Sequence, residues 1–165
     1  MPSPPRPDPA QEDAKWEAYP ETILEFLGPP PLVVDLRKPI DAPTRHSIRQ
    51  RVGDSSFRIF TAENPAGENA EDACTDREEE RRARRNDQRT SRLEEELARA
   101  GTRFLVLDGV SPDGAYRERC VAALLPRRES VALARRYAQL ALFWFDGDTF
   151  WLLPGLADKD PRPLP

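Results

Sequence analysis

One helix in this sequence is marked at both ends, and it fixes how the rest can be arranged. Thr75 stands three residues before Glu78, the spacing of a capping box, and Gly101 supplies a stop. The spacing predicts a long helix over 75–100. Its neighbours read as strands. Residues 57–62 form a β-rich run ended by Asn64 and Pro65, and 104–108 form another. Ser111, Pro112, Asp113 and Gly114 have the composition of a turn, so 116–125 is expected to return beside 104–108 as a hairpin. Pro126 ends that strand and a second helix follows over 129–140. Residues 141–145 and 149–153 then flank a turn at Asp146, Gly147 and Asp148.

From residue 57 the order is therefore β-α-β-β-α-β with a closing strand. It predicts an α+β domain: an antiparallel sheet with two helices packed on one face, in the ferredoxin-like split βαβ order. Upstream, 16–27 reads as a short helix anchored by Trp16, Tyr19, Ile23, Leu24, Phe26 and Leu27, and 32–36 as an added strand. Residues 37–55 are polar and mixed, with His46 expected on a surface turn or short helix. Residues 1–13 hold five prolines and the last six residues hold three. Both ends, 1–13 and 157–165, are expected as disordered tails around a single domain over 14–156.

Composition narrows the chemistry. A length of 165 residues suits one domain. No apolar run approaches the roughly 20 residues of a membrane span, and no secretory signal opens the chain, so a cytoplasmic protein is expected. A net charge of −4 argues against a nucleic-acid partner. Cys74 and Cys120 read as free thiols, and Cys120 lacks a base to make it a nucleophile, His46 being the sole histidine. There is no CxxC or HExxH for zinc, and no GxGxxG or GxxxxGK[ST] to cradle a nucleotide. No metal and no cofactor are therefore expected. Lysine is confined to Lys15, Lys38 and Lys159, so anion recognition would run through arginine.

Polar residues intrude on surfaces that should be apolar. On the long helix Leu93, Leu97 and Ala100 form the core stripe, and Asn86, Arg89 and Thr90 continue it toward the start. Residues 76–99 carry eight acidic and eight basic side chains, and the run over 77–85 reads as a solvated, protruding helix. On the second helix Arg135 and Gln139, spaced i and i+4, flank an apolar face. Along 116–125, alternation aligns Tyr116, Glu118, Cys120, Ala122 and Leu124. A carboxylate in that series needs a partner, and Arg89 and Arg135 are the candidates. The sequence thus groups Asn64, Asn86, Arg89, Glu118, Arg135 and Gln139 into one polar cluster. It reads either as a salt-bridge network tying helices to sheet or as a pocket for an anionic or amide-bearing ligand. Asp113, Asp146 and Asp148 are explained by their turns, and Trp144, Phe150 and Trp151 by core packing or a partner surface.

These residues carry a resemblance. Phe60, Thr61, Ala62, Asn64 and Pro65, then Asn86, Arg89, Leu93 and Leu97, resemble in order and spacing a bacterial family known as domain of unknown function 3293. The likeness continues through Pro112, Gly114, Tyr116 and Glu118, and through Ala134, Arg135, Arg136, Tyr137, Gln139 and Phe143, covering about 57–153. Tyr116 stands where the family more often has Trp, Cys120 where it has Ser, and 67–85 is longer than usual. The resemblance implies a compact domain whose recurring polar positions coincide with the cluster, and it implies no activity. Three functions stay open: a binding or regulatory module for a small polar ligand, a metal-independent enzyme with Glu118 as general base, and a protein–protein adaptor. An arginine beside Glu118 would hold it in its charged form and weigh against the enzyme.

Overall fold

The computed structural model describes residues 8–53, 56–67 and 75–165. Among them the chain forms α1 (Pro9–Ala18), a 3-10 turn (Tyr19–Glu21), β1 (Ile23–Phe26), β2 (Leu32–Asp35), α2 (Ala42–Val52) and β3 (Phe57–Thr61). There follow α3 (Asp76–Arg99), β4 (Phe104–Val110), β5 (Arg117–Ala123), α4 (Arg127–Arg136), β6 (Ala141–Phe145), β7 (Phe150–Pro154) and β8 (Arg162–Pro163). The strands make one sheet in the order β2-β1-β4-β5-β3-β6-β7-β8. Every neighbouring pair is antiparallel.

This corrects the expected architecture. The sheet has eight strands, and helices cover both of its faces, so the domain is not a two-helix, one-face, ferredoxin-like fold. Trp16 of α1 and Ile48 and Val52 of α2 pack with Phe57, Ile59, Cys120, Ala122, Phe143 and Phe145. Leu93 and Leu97 of α3 and Leu133 and Ala134 of α4 pack on the opposite face with Phe60, Val121, Ala123 and Leu142. The reason lies in the strands themselves. Successive residues point to opposite faces, and Phe57, Ile59 and Phe60, like Leu142 and Phe143, are large on both. One bare face would have left half of them in water.

The marked helix is where its signals place it. The Thr75 hydroxyl accepts from the Glu78 N–H and donates to its carboxylate. At the other end Thr102 N–H bonds Leu97 O and Gly101 N–H bonds Ala98 O, a Schellman closure with Gly101 at φ +69°. Residues 76–85 of α3 are largely exposed.

The N-terminal reading changes. Residues 16–27 are not one helix: Pro20 lacks the N–H a helix interior requires, α1 stops at Ala18, and Leu24 and Phe26 alternate into the core from β1. In 37–55, Asp41 caps α2 by accepting from the Thr44 N–H at 2.8 Å, and His46 is exposed on that helix.

Both proline-rich ends also carry structure. Asp8 caps α1, and β8 pairs with β7 so that Leu164 is buried. The two ends are tied together by Asp13–Lys159 and Glu17–Arg162 ion pairs and by an Asp158 N–H to Glu12 bond. Disordered tails over 1–13 and 157–165 are thus overturned for residues 8–13 and 157–165. Cys74 lies outside the described residues, whereas Cys120 is a buried free thiol. Trp144 and Trp151 stack at 5.9 Å, with Arg58 over the Trp144 ring. No described helix is long and apolar enough to cross a membrane.

Candidate functional site

Glu118 occupies the outer half of β5, and alternation sends it to the face that also holds Cys120 and Ala122. That is the face of α1 and α2. Arg89 on α3 and Arg135 on α4 belong to the other, so the expected arginine partners of Glu118 do not meet it there. It is hydrogen-bonded instead by the Tyr116 hydroxyl, 2.8 Å from Oε2, and by the Asn64 side chain. Arg135 donates from Nε to Gly155 O at 2.7 Å and pins the segment after β7. That segment crosses so close to Gln139 that a Cβ on Gly155 would lie 2.4 Å from Gln139 O.

Asn64, Asn86 and Arg89 do come together, and they reach Glu118 indirectly. Asn64 sits just past β3 at φ +45°, a left-handed conformation asparagine tolerates. Its backbone N–H donates to Asn86 Oδ1 at 3.0 Å, while Asn86 Nδ2 donates to Asn64 Oδ1 at 2.9 Å. Arg89 Nη1 donates to the same Asn86 Oδ1 at 3.1 Å. Asn64 Nδ2 then donates to the Tyr116 hydroxyl at 2.8 Å, which donates onward to Glu118. The side-chain bonds run in one direction, from the guanidinium on one face of the sheet to the carboxylate on the other.

Glu118 faces a cavity of about 320 Å³. Its walls are Tyr19 and Thr22 before β1, Gly109 and Val110 of β4, Pro112 and Tyr116 of the β4–β5 connection, and Asn64 and Gln139. Lys15, Ala18, Glu21 and Ser111 complete the lining. Of the six predicted residues, Asn64, Glu118 and Gln139 line the cavity, Asn86 and Arg89 stand behind it, and Arg135 lies apart. Sequence reasoning missed Gly109, and it missed Tyr19 and Thr22 because the stretch around them reads as helix. Tyr116 was legible two residues before Glu118 on the same strand face.

Burial lifts the Glu118 pKa to about 7, assisted by the charge of Glu63 and opposed by hydrogen bonds from Tyr116 and Asn64. An arginine was expected to oppose such a rise; burial dominates instead. Burial also raises Tyr116 and Tyr19, each further raised by the negative charge of Glu118, and it raises the Cys120 thiol. Glu63 is raised too, chiefly by burial. No group of three or more His, Cys, Asp or Glu among the described residues is placed to hold a metal ion.

The family described as a protein of unknown function (DUF3293) matches residues 60–142. The chain belongs to this family. The DUF3293 match contains Asn64, Asn86, Arg89, Tyr116, Glu118, Arg135 and Gln139. The part of the cavity wall built by Lys15, Tyr19 and Thr22 lies outside it, so the cavity joins the DUF3293 segment to the N-terminal elements. No curated protein and no solved structure matches the chain.

Proposed function

We propose that this DUF3293 domain is a binding module for a small polar molecule, held in the cavity beside Glu118. One observation carries the reading: an open cavity of about 320 Å³ whose wall holds a carboxyl bonded by a tyrosine hydroxyl. A half-buried carboxylate without a cation against it costs stability, so a purely structural role accounts poorly for it. A cavity of this size suits a small ligand, and its few polar groups converge, as binding sites require. The alternative of a salt-bridge network tying helices to sheet is disfavoured by the opening itself.

A second reading has its own support. A carboxyl with a pKa near 7 is suited to exchanging a proton at neutral pH, which fits Glu118 as a general base. In that case Glu118→Gln abolishes turnover of the bound molecule while the molecule is still retained.

The test is native mass spectrometry of the protein purified gently from its own host, beside a denatured control. The binding reading predicts an extra mass in the native spectrum that denaturation removes and that Gly109→Leu, which fills the cavity, excludes. Equal native and denatured masses contradict it.

A further inference from the structure

The hydrogen-bonding groups around the cavity are unevenly spent. The Thr22 hydroxyl donates to Tyr19 O at 2.7 Å, and the Ser111 hydroxyl to Asp113 at 2.6 Å. Tyr116 donates to Glu118, and Asn64 Nδ2 to Tyr116. Gln139 Nε2 donates to Glu63 O at 2.8 Å and Tyr137 O at 3.2 Å. Both of those partners are carbonyl oxygens, which fixes the amide orientation and leaves Oε1 as the acceptor of a side chain in the cavity lining. An ionised carboxylate has about four acceptor sites, of which Tyr116 and Asn64 take two at Glu118.

The donors of Thr22, Ser111, Tyr116 and Gln139 are thus given to protein acceptors, which leaves Glu118 and Gln139 Oε1 as the acceptors of the lining, beside the Tyr19 hydroxyl and Lys15. An entering molecule must bring N–H or O–H groups of its own. Charge points the same way: among the described lining residues, Glu118 and Glu21 stand against one cation, Lys15, which has its own partner. The remaining walls, Ala18, Tyr19, Val110 and Pro112, are apolar or aromatic.

We infer that the cavity takes a small organic cation, an amidinium, guanidinium or ammonium group on an apolar body, with its N–H groups shared between Glu118 and Gln139. This rests on the reading of the cavity as a binding site and names its ligand class. It reverses the expectation of an anionic ligand, because the arginines that would hold an anion lie behind the cavity or away from it. Carboxylates pair strongly with planar N–H forks, and such a pair gains further when water is excluded.

The inference carries a pH dependence. Glu118 is faced by Tyr116 just before its strand and Cys120 on it, by Tyr19 and Thr22 before β1, by Glu63 and Asn64 after β3, and by Gly109 on β4. Lys15 and Glu21 add the remaining charges of the lining. A cation needs Glu118 ionised, and its midpoint lies at about 7. Affinity therefore rises about tenfold from pH 6 to pH 8.

Three probes of nearly one shape separate the outcomes: benzamidine, benzamide and benzoate. Each is titrated into the full chain at pH 6 and pH 8, followed through the side-chain amide resonances of Asn64 and Gln139 and by calorimetry. The expected result is that benzamidine binds more tightly at pH 8, that benzoate does not bind, and that Glu118→Gln, with its amide spectrum otherwise intact, loses at least tenfold in benzamidine affinity. If benzamide or benzoate binds as well as benzamidine, the cationic class is wrong and the cavity remains a binding site. If none of the three moves those resonances, the inference and the binding reading fall together.

Discussion

Asn64 and Asn86 hold each other through two hydrogen bonds, one to a backbone N–H and one between side chains, at 3.0 and 2.9 Å. Both residues are buried. This pair joins the loop after β3 to α3, and it sets the position from which Asn64 reaches Tyr116.

Removing one member strands groups on the other. Asn86→Ala leaves the Asn64 N–H and Oδ1 without their partners, and each unsatisfied buried group costs about 1–3 kcal/mol. The expected loss in unfolding free energy is about 2 kcal/mol or more, measured by urea denaturation with an unchanged m-value. A loss under about 0.5 kcal/mol would show that water replaces Asn86 freely.

The Glu118 carboxyl shapes stability against pH. Its pKa is raised from 4.5 in the unfolded reference to about 7 in the fold, so between those values the folded state binds more protons. Stability from this group is therefore fully present below about pH 4.5 and falls as pH rises toward 7. Glu118→Gln removes that slope. The variant gains on the wild type between pH 5 and pH 8, by on the order of 1–2 kcal/mol once the water reaching the cavity is allowed for. Parallel stability curves across that range would contradict this.

Gly109 is a glycine without a conformational need. A Cβ there would meet Cys120 Sγ at 3.5 Å, Thr22 Cγ2 at 3.7 Å and Glu118 Cγ at 3.8 Å, all ordinary contacts. Gly109→Ala is expected to stabilise β4 by roughly 0.5–1 kcal/mol, because glycine weakens a strand interior. The same methyl narrows the cavity, so any ligand that fills it is weakened. Thermal unfolding and ligand retention, read on one sample, check both halves.

The C-terminal segment is part of the core. Leu164 is 6% exposed and its N–H donates to Phe150 O at 2.9 Å. Leu164→Ala should cost about 2 kcal/mol, at the low end for a buried leucine because the site lies at a sheet edge. In hydrogen exchange the Leu164 amide should be protected; exchange at the unprotected rate would restore the disordered tail.

How much was legible follows from the reach of each signal. The capping box at Thr75 and the stop at Gly101 are local, and they placed α3. The alternation that set Glu118 among Cys120 and Ala122 is also local, and it correctly demanded a partner. Choosing that partner required knowing which helices cover which face, and that depends on the whole sheet. Residues 16–27 misled because their apolar spacing fits a helix, while Pro20 alone forbids one. Helix α2 went unread because only Ile48 and Val52 of its residues are buried, too few to mark a periodicity. Tyr19 was assigned to the core and so missed as a cavity wall.

The most direct test is the titration of the Glu118 side-chain carboxyl itself, followed by carbon-detected NMR on the selectively labelled chain. This carboxyl stands in the wall of an open cavity, where its burial resists its charge, held by Tyr116 and without an arginine setting its proton affinity. The expected midpoint is about 7, shifted further by Tyr116→Phe. A midpoint at the ordinary 4.5 or below would mean that water or a cation already satisfies Glu118, and the account of the cavity would be wrong.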